Sequence, residues 1–199
     1  MRSFLFALSF LFFVESSSAV TIVTPYAGGS LSRYSIDYVT NNGVNYNNML
    51  NSNYNMYGFF FGLDINPYIS FEFNYDQNIS RSGKNTSGEY GITHTSGKLN
   101  TTRYDFIGKI PLFLDVKFLF ILGMAQGFNT ASIQSSSTTI DSRFKQGGYD
   151  FAPEYGIGVM VDHGNNLFAK FEIRKQTLKY EGIANGGNII SIGAGYRFL

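Results

Sequence analysis

Period-two alternation recurs along most of this chain, and few folds can use that pattern so often. In YGFFFGLDIN, Tyr57, Phe59, Phe61, Leu63 and Ile65 share one face, and Gly58, Phe60, Gly62 and Asp64 share the other. In ISFEFNYD, Ile69, Phe71, Phe73 and Tyr75 oppose Ser70, Glu72, Asn74 and Asp76. The same reading holds for TTRYDFIGKI, EYGIGVMVD, LFAKFEIR and the closing stretch from Ile190 to Phe198. Successive side chains of a strand point to opposite faces, so each stretch reads as a strand with one apolar face. The other face carries Gly, Ser and full charges. Two further strands read less cleanly. One, about 115–128, is apolar on both faces; the other, about 25–38, alternates weakly around AGGS.

These segments make eight strands of about ten residues, the length a tilted strand needs to cross a bilayer. The gaps supply a second pattern. Long polar gaps follow the first, third and fifth strands, a medium gap follows the seventh, and short turns such as NP, LFLD and HGNN separate the others. Long outer loops alternating with tight inner turns are the asymmetry of a bacterial outer-membrane barrel. The predicted fold is therefore an all-β, eight-stranded, antiparallel, up-and-down transmembrane β-barrel spanning residues 20–199. Its loops would cover about 39–56, 77–100, 129–148 and 179–188. The soluble alternative, a lipocalin-like barrel, would turn the apolar faces inward around a ligand.

The first nineteen residues read as a secretory signal peptide. Arg2 precedes the apolar run Ser3–Val14, and small Ser17 and Ala19 place cleavage before Val20. The run is too short for a spanning helix, which needs about 20 apolar residues. The chain has no Cys, which removes disulfides and thiolate metal sites, and its net charge of +1 gives no footprint for nucleic acid.

At the level of hairpins the chain resembles the outer membrane protein A-like β-barrel family, barrel portion only. GFFFGLDINPYISFEFNYD is similar to that family's second and third strands, GKIPLFLDVKFLFILG to its fourth and fifth, and SIGAGYRF to its last. The resemblance implies residence in the bacterial outer membrane, contact with its lipid and lipopolysaccharide, and a monomeric state. It also implies that the last strand carries the signal read by the barrel-assembly machinery, here Ser191, Gly193, Tyr196 and Phe198. Leu199 departs from the aromatic end usual in such signals. A periplasmic domain that binds peptidoglycan, present in some members, has no counterpart in this sequence, so no tether to the cell wall is expected from it.

The face opposite the apolar one carries Glu72, Arg103, Asp105, Lys109, Glu154, Lys170, Glu172 and Arg174. An eight-stranded barrel has room inside only for its own side chains, so these charges must pair there. The resemblance implies that Glu72 faces Lys170 and Lys109. Two charged positions of the family network are Ile121 and Met160 here, which thins it. The expected function is non-enzymatic: a barrel that anchors surface loops for contact with host, phage or antibody, and supports membrane integrity. A narrow, porin-like channel is the alternative. A lipid A-modifying enzyme is the second, since HTS (His94–Ser96) has a His-x-Ser spacing. A base and nucleophile need an ordered scaffold, and a Gly/Ser/Thr-rich stretch does not supply one. His163 reads as a solvated turn residue. No catalytic residue, cofactor or metal site is expected.

Overall fold

The computed structural model describes the backbone of residues 23–38, 40–41, 44–45, 52–79, 82–88, 91–135, 141–147, 151–164, 166–180 and 184–198, with side chains described for 23–38, 52–79, 99–127, 151–164, 166–177 and 185–198. The expected signal peptide lies outside these residues. Eight long strands form the wall: β1 (Thr24–Tyr38), β2 (Asn53–Asn66), β3 (Ile69–Asn78), β4 (Gly91–Pro111), β5 (Val116–Ser135), β6 (Ala152–His163), β7 (Leu167–Tyr180) and β8 (Ala184–Arg197). Each pairs antiparallel with its neighbours in sequence. β1 closes the barrel against β8, from Tyr26↔Arg197 to Tyr38↔Ala184. Closure leaves no open strand edge in the wall, which a spanning sheet in lipid requires.

The alternation of the sequence is the alternation of the wall. Phe106 and Leu122 are 59% and 66% exposed on the outside, and Glu72 and Asp105 are 0% exposed within. Phe59, Phe171, Tyr196 and Phe198 are also outward. The apolar face therefore looks away from the interior, as in a membrane barrel and opposite to a lipocalin-like one. Aromatic rings meet across strands on this outer face. Phe71–Phe106 and Phe73–Tyr104 are edge-to-face pairs with centroids 5.3 and 5.4 Å apart. Such cross-strand pairs stabilise a sheet beyond the area they bury.

Seven of the eight strands are longer than the expected ten residues, up to 21 in β4 and 20 in β5, and β3 has ten. All four expected loops are corrected accordingly. In the second and third, Ser82–Gly88 pairs with β4, Asp141–Gly147 pairs with β5, and the β4–β5 ladder continues to Thr93↔Ser135. These polar stretches lack an apolar face and so show no alternation, yet backbone hydrogen bonding extends the ladder through them. In the fourth, β7 reaches Tyr180 and β8 starts at Ala184, so only 181–183 lie between them. In the first, Thr40–Asn41 pairs with Val44–Asn45. Gly164 in the β6–β7 turn has φ 63°, a left-handed conformation that glycine adopts without a Cβ clash.

Candidate functional site

The barrel interior is built in layers, because every second residue of each strand points inward and the register aligns those residues across strands. Nearest the outer rim lies an apolar layer of Tyr34, Ile36, Tyr38, Tyr54, Met56, Leu99, Ala125, Ala152 and Ile189. The Tyr38 and Tyr54 hydroxyls stand 3.3 Å apart.

One step down each strand is an ionic layer centred on Arg174. Its Nη1 donates to Glu154 Oε1 at 2.6 Å and to Asp105 Oδ2 at 2.5 Å, and its Nη2 donates to Glu172 Oε2 at 2.9 Å. Arg103 Nη2 meets Asp76 Oδ2 at 2.6 Å. Lys170 Nζ lies 2.6 and 2.8 Å from the two Glu72 oxygens, and 3.2 Å from Glu172 Oε1. Neutral donors complete the layer. Asn74 Nδ2 donates to Asp105 at 2.9 Å, Ser191 Oγ to Glu172 at 3.2 Å and Tyr26 OH to Glu72 at 3.1 Å. Charges this buried are tolerated only when paired and hydrogen-bonded.

A second apolar layer follows: Tyr26, Phe60, Ile107, Leu119, Ile121, Met160 and Phe168. It is packed around glycines. A Cβ on Gly28 would overlap the Phe60 ring, one on Gly62 the Tyr26 ring, and one on Gly195 the Phe168 ring. Lys170 Nζ sits 4.0 Å from the Phe60 ring centroid, linking this layer to the charges above. At the inner end a second ionic chain runs Lys109–Asp64–Arg197–Asp162–Lys117, with Asp64–Arg197 at 3.0 Å and both Asp162 contacts at 2.8 Å.

Of the eight charges expected inside, Glu72, Arg103, Asp105, Glu154, Lys170, Glu172 and Arg174 stand in the central ionic layer. Lys109 does not face Glu72, the arrangement the resemblance implied. Ile107 lies between their levels, and Lys109 Nζ is 2.5 Å from Asp64 Oδ1. Ile121 and Met160 belong to the inner apolar layer. Asp64, Asp76, Asp162, Lys117 and Arg197 were missed as partners. The alternation itself could have found Asp64, Asp76, Asp162 and Arg197, which share the inward parity.

On β8, Ser191 is buried within, whereas Tyr196 and Phe198 are exposed outside with ring centroids 5.5 Å apart. A Cβ on Gly193 would lie 3.2 Å from both Gly29 O and the Phe60 ring and 3.4 Å from Lys170 Cε. His163, the last residue of β6, is exposed. His94 and Ser96 are in the β4 backbone, at Asn85↔His94 and Gly83↔Ser96, and their side chains lie outside the described residues. Among the described residues no cluster of His, Cys, Asp or Glu could hold a metal ion.

The family model for the outer membrane protein beta-barrel domain matches residues 4–198. No curated protein matches the chain. Among solved structures, Ail of Yersinia pestis, in complex with the heparin analogue sucrose octasulfate, is 16% identical with a TM-score of 0.53; the match covers 88% of this chain and 97% of Ail. The N-terminal β-barrel domain of Pseudomonas aeruginosa OprF is 16% identical with a TM-score of 0.51, covering 86% of this chain and 97% of that one. Neisserial surface protein A is 14% identical with a TM-score of 0.52, covering 87% and 97%. At these identities the likeness is one of fold.

Proposed function

This chain belongs to the outer membrane protein beta-barrel domain family and resides in the bacterial outer membrane, and on that premise we propose that it is a non-enzymatic surface-recognition barrel. The observation that carries the reading is the sheet standing on the outer rim. β4 and β5 stay paired from Leu99↔Asn129 to Thr93↔Ser135, flanked by Ser82–Gly88 and Asp141–Gly147. At about 3.4 Å per residue this ladder extends roughly 20 Å, along the tilted strands, beyond the apolar layer at Leu99. A broad, hydrogen-bonded platform of that length presents residues to the exterior at fixed spacing.

The ligand class we propose is an anionic glycan. Residues 77–100 and 129–148 carry Arg81, Lys84, Lys98, Arg143 and Lys145 against only Glu89 and Asp141. In the register, Lys98, Thr130 and Lys145 form one row, and Ser96, Ser132 and Arg143 form the row two residues further along. Three cations thus share one parity of the sheet, a spacing suited to a chain of sulfates or phosphates. Sucrose octasulfate is a suitable probe. Calorimetry on the whole barrel in nanodiscs is expected to show binding that weakens as salt rises and is lost in the variant K98E/R143E/K145E. No binding at low salt, or equal binding by that variant, would overturn the reading.

We assign Ser191, Gly193, Tyr196 and Phe198 to recognition by the barrel-assembly machinery. Phe198→Ala should lower the amount reaching the outer membrane several-fold while leaving refolding into detergent unchanged. Equal outer-membrane levels would count against the assignment.

A further inference from the structure

We propose that the β4–β5 turn is an inner-leaflet anchor that inserts Leu112, Phe113 and Leu114 among lipid acyl chains on the periplasmic side of the membrane. These residues are 52%, 75% and 100% exposed. Their exposure is built in, because the turn is held by its backbone. Leu112 N and Phe113 N both donate to Val116 O, at 2.9 and 3.3 Å, and Asp162 N donates to Asp115 O at 2.7 Å, tying the turn to β6. Three large apolar side chains held facing outward by a fixed turn constitute an apolar patch in search of an apolar medium.

Continuity identifies that medium. The outward stripe on β4 runs Phe106, Gly108, Ile110 and Leu112; the one on β5 runs Met124, Leu122, Phe120 and Phe118. The β4 stripe enters the turn without a polar residue between, and the β5 stripe continues through Val116 to Asp115 at the end of the turn. The surface of the turn is thus the downward extension of the surface that faces lipid. The charges at this depth are engaged elsewhere: Lys117 Nζ pairs with Asp162 at 2.8 Å, and Asp162 with Arg197. Asp115, exposed at the far end of the turn, supplies the polar limit to its depth.

The other two inner turns lack this feature. The β2–β3 turn is Pro67–Tyr68, whose Tyr68 carries a hydroxyl, and the β6–β7 turn follows exposed His163 with Gly164 and Asn166. At β6–β7 the outward apolar face ends on the strand itself, at Leu167 opposite His163, and the turn adds no large apolar side chain at Gly164 or Asn166. Inner turns need not cross the bilayer during insertion, so an apolar one carries no translocation penalty.

The chain contains no Trp, so Leu114→Trp creates a single fluorescent reporter. The full barrel carrying it is refolded into phosphatidylcholine vesicles, with heat-modifiable migration as the check on folding. The expected result is emission blue-shifted from that of tryptophanamide in water, at least several-fold quenching by lipids brominated near the headgroup end of the acyl chain, and little quenching by aqueous iodide. Emission at the aqueous position with full iodide quenching would overturn the proposal. A blue shift that disappears as the protein is diluted in lipid would do so as well, by assigning the turn to contact between copies. Phe113→Trp provides the same measurement should Leu114→Trp fail to fold.

Discussion

The residue on which the interior turns is Arg174. It touches Asp105, Glu154 and Glu172, with Glu72 3.8 Å away, and it is buried. Removing it leaves several carboxylates facing one another in a medium of low dielectric. Arg174→Met should destabilise the barrel by about 3–5 kcal/mol, the range for breaking a buried ion pair from one side. The urea midpoint of the refolded protein is the readout, and an unaltered midpoint would remove Arg174 from the centre of the layer. At this scale the sequence was partly legible. Parity alone placed Glu72, Lys170 and Arg174 inside. It said nothing of which carboxylate each cation meets, and Lys109 shows why. Its partner Asp64 comes from β2, two strands away around the wall, and the distance between them exists only after closure.

At the scale of the strand, the two faces of β1 make opposite demands at adjacent positions. A Cβ on Gly28 would strike the Phe60 ring and the backbone at Ala194, whereas a Cβ on Gly29 would have Gly58 O as its nearest neighbour at 3.7 Å, an ordinary contact. Gly28→Ala is expected to cost about 1–3 kcal/mol through overpacking. Gly29→Ala should stay within about 0.5 kcal/mol of the parent. Thermal unfolding of the two variants side by side checks this, and equal losses would mean that the faces of β1 are wrongly assigned. β1 was the weakest strand in the sequence because AGGS interrupts its pattern. Its Gly28 makes room for the Phe60 ring on β2, a reason visible only in the neighbour. The outer halves of β4 and β5 were illegible for a different reason. Both faces of those halves are polar, so no period-two contrast marks them, and they form strands because the hairpin beneath sets their register.

For the whole molecule, the order of the layers decides permeability. Within the barrel, an ion moving inward from the rim meets Tyr34, Tyr54, Met56 and Ile189 before the central ionic layer, and leaving that layer it meets Phe60, Met160 and Phe168. Apolar layers on both sides of the ionic one oppose ion passage by the cost of desolvation. Planar bilayers containing the refolded barrel should therefore stay silent. Discrete conductance steps would restore the narrow channel as the better reading. The same stacking explains how a thinned charge network holds together: Ile121 and Met160, where the resemblance implied charges, fill the inner apolar layer with side chains that need no partner.

Taken by itself, the chain's alternation determined which residues face lipid and which face inward, because side-chain parity is a local property of any extended backbone. Strand number and the alternation of gaps then determined an eight-stranded barrel. Only the tertiary structure decided who pairs with whom, where the apolar layers fall between the charges, and that the strands rise past the rim as a sheet. Those outcomes depend on register and on distances across a closed cylinder, which no single strand contains.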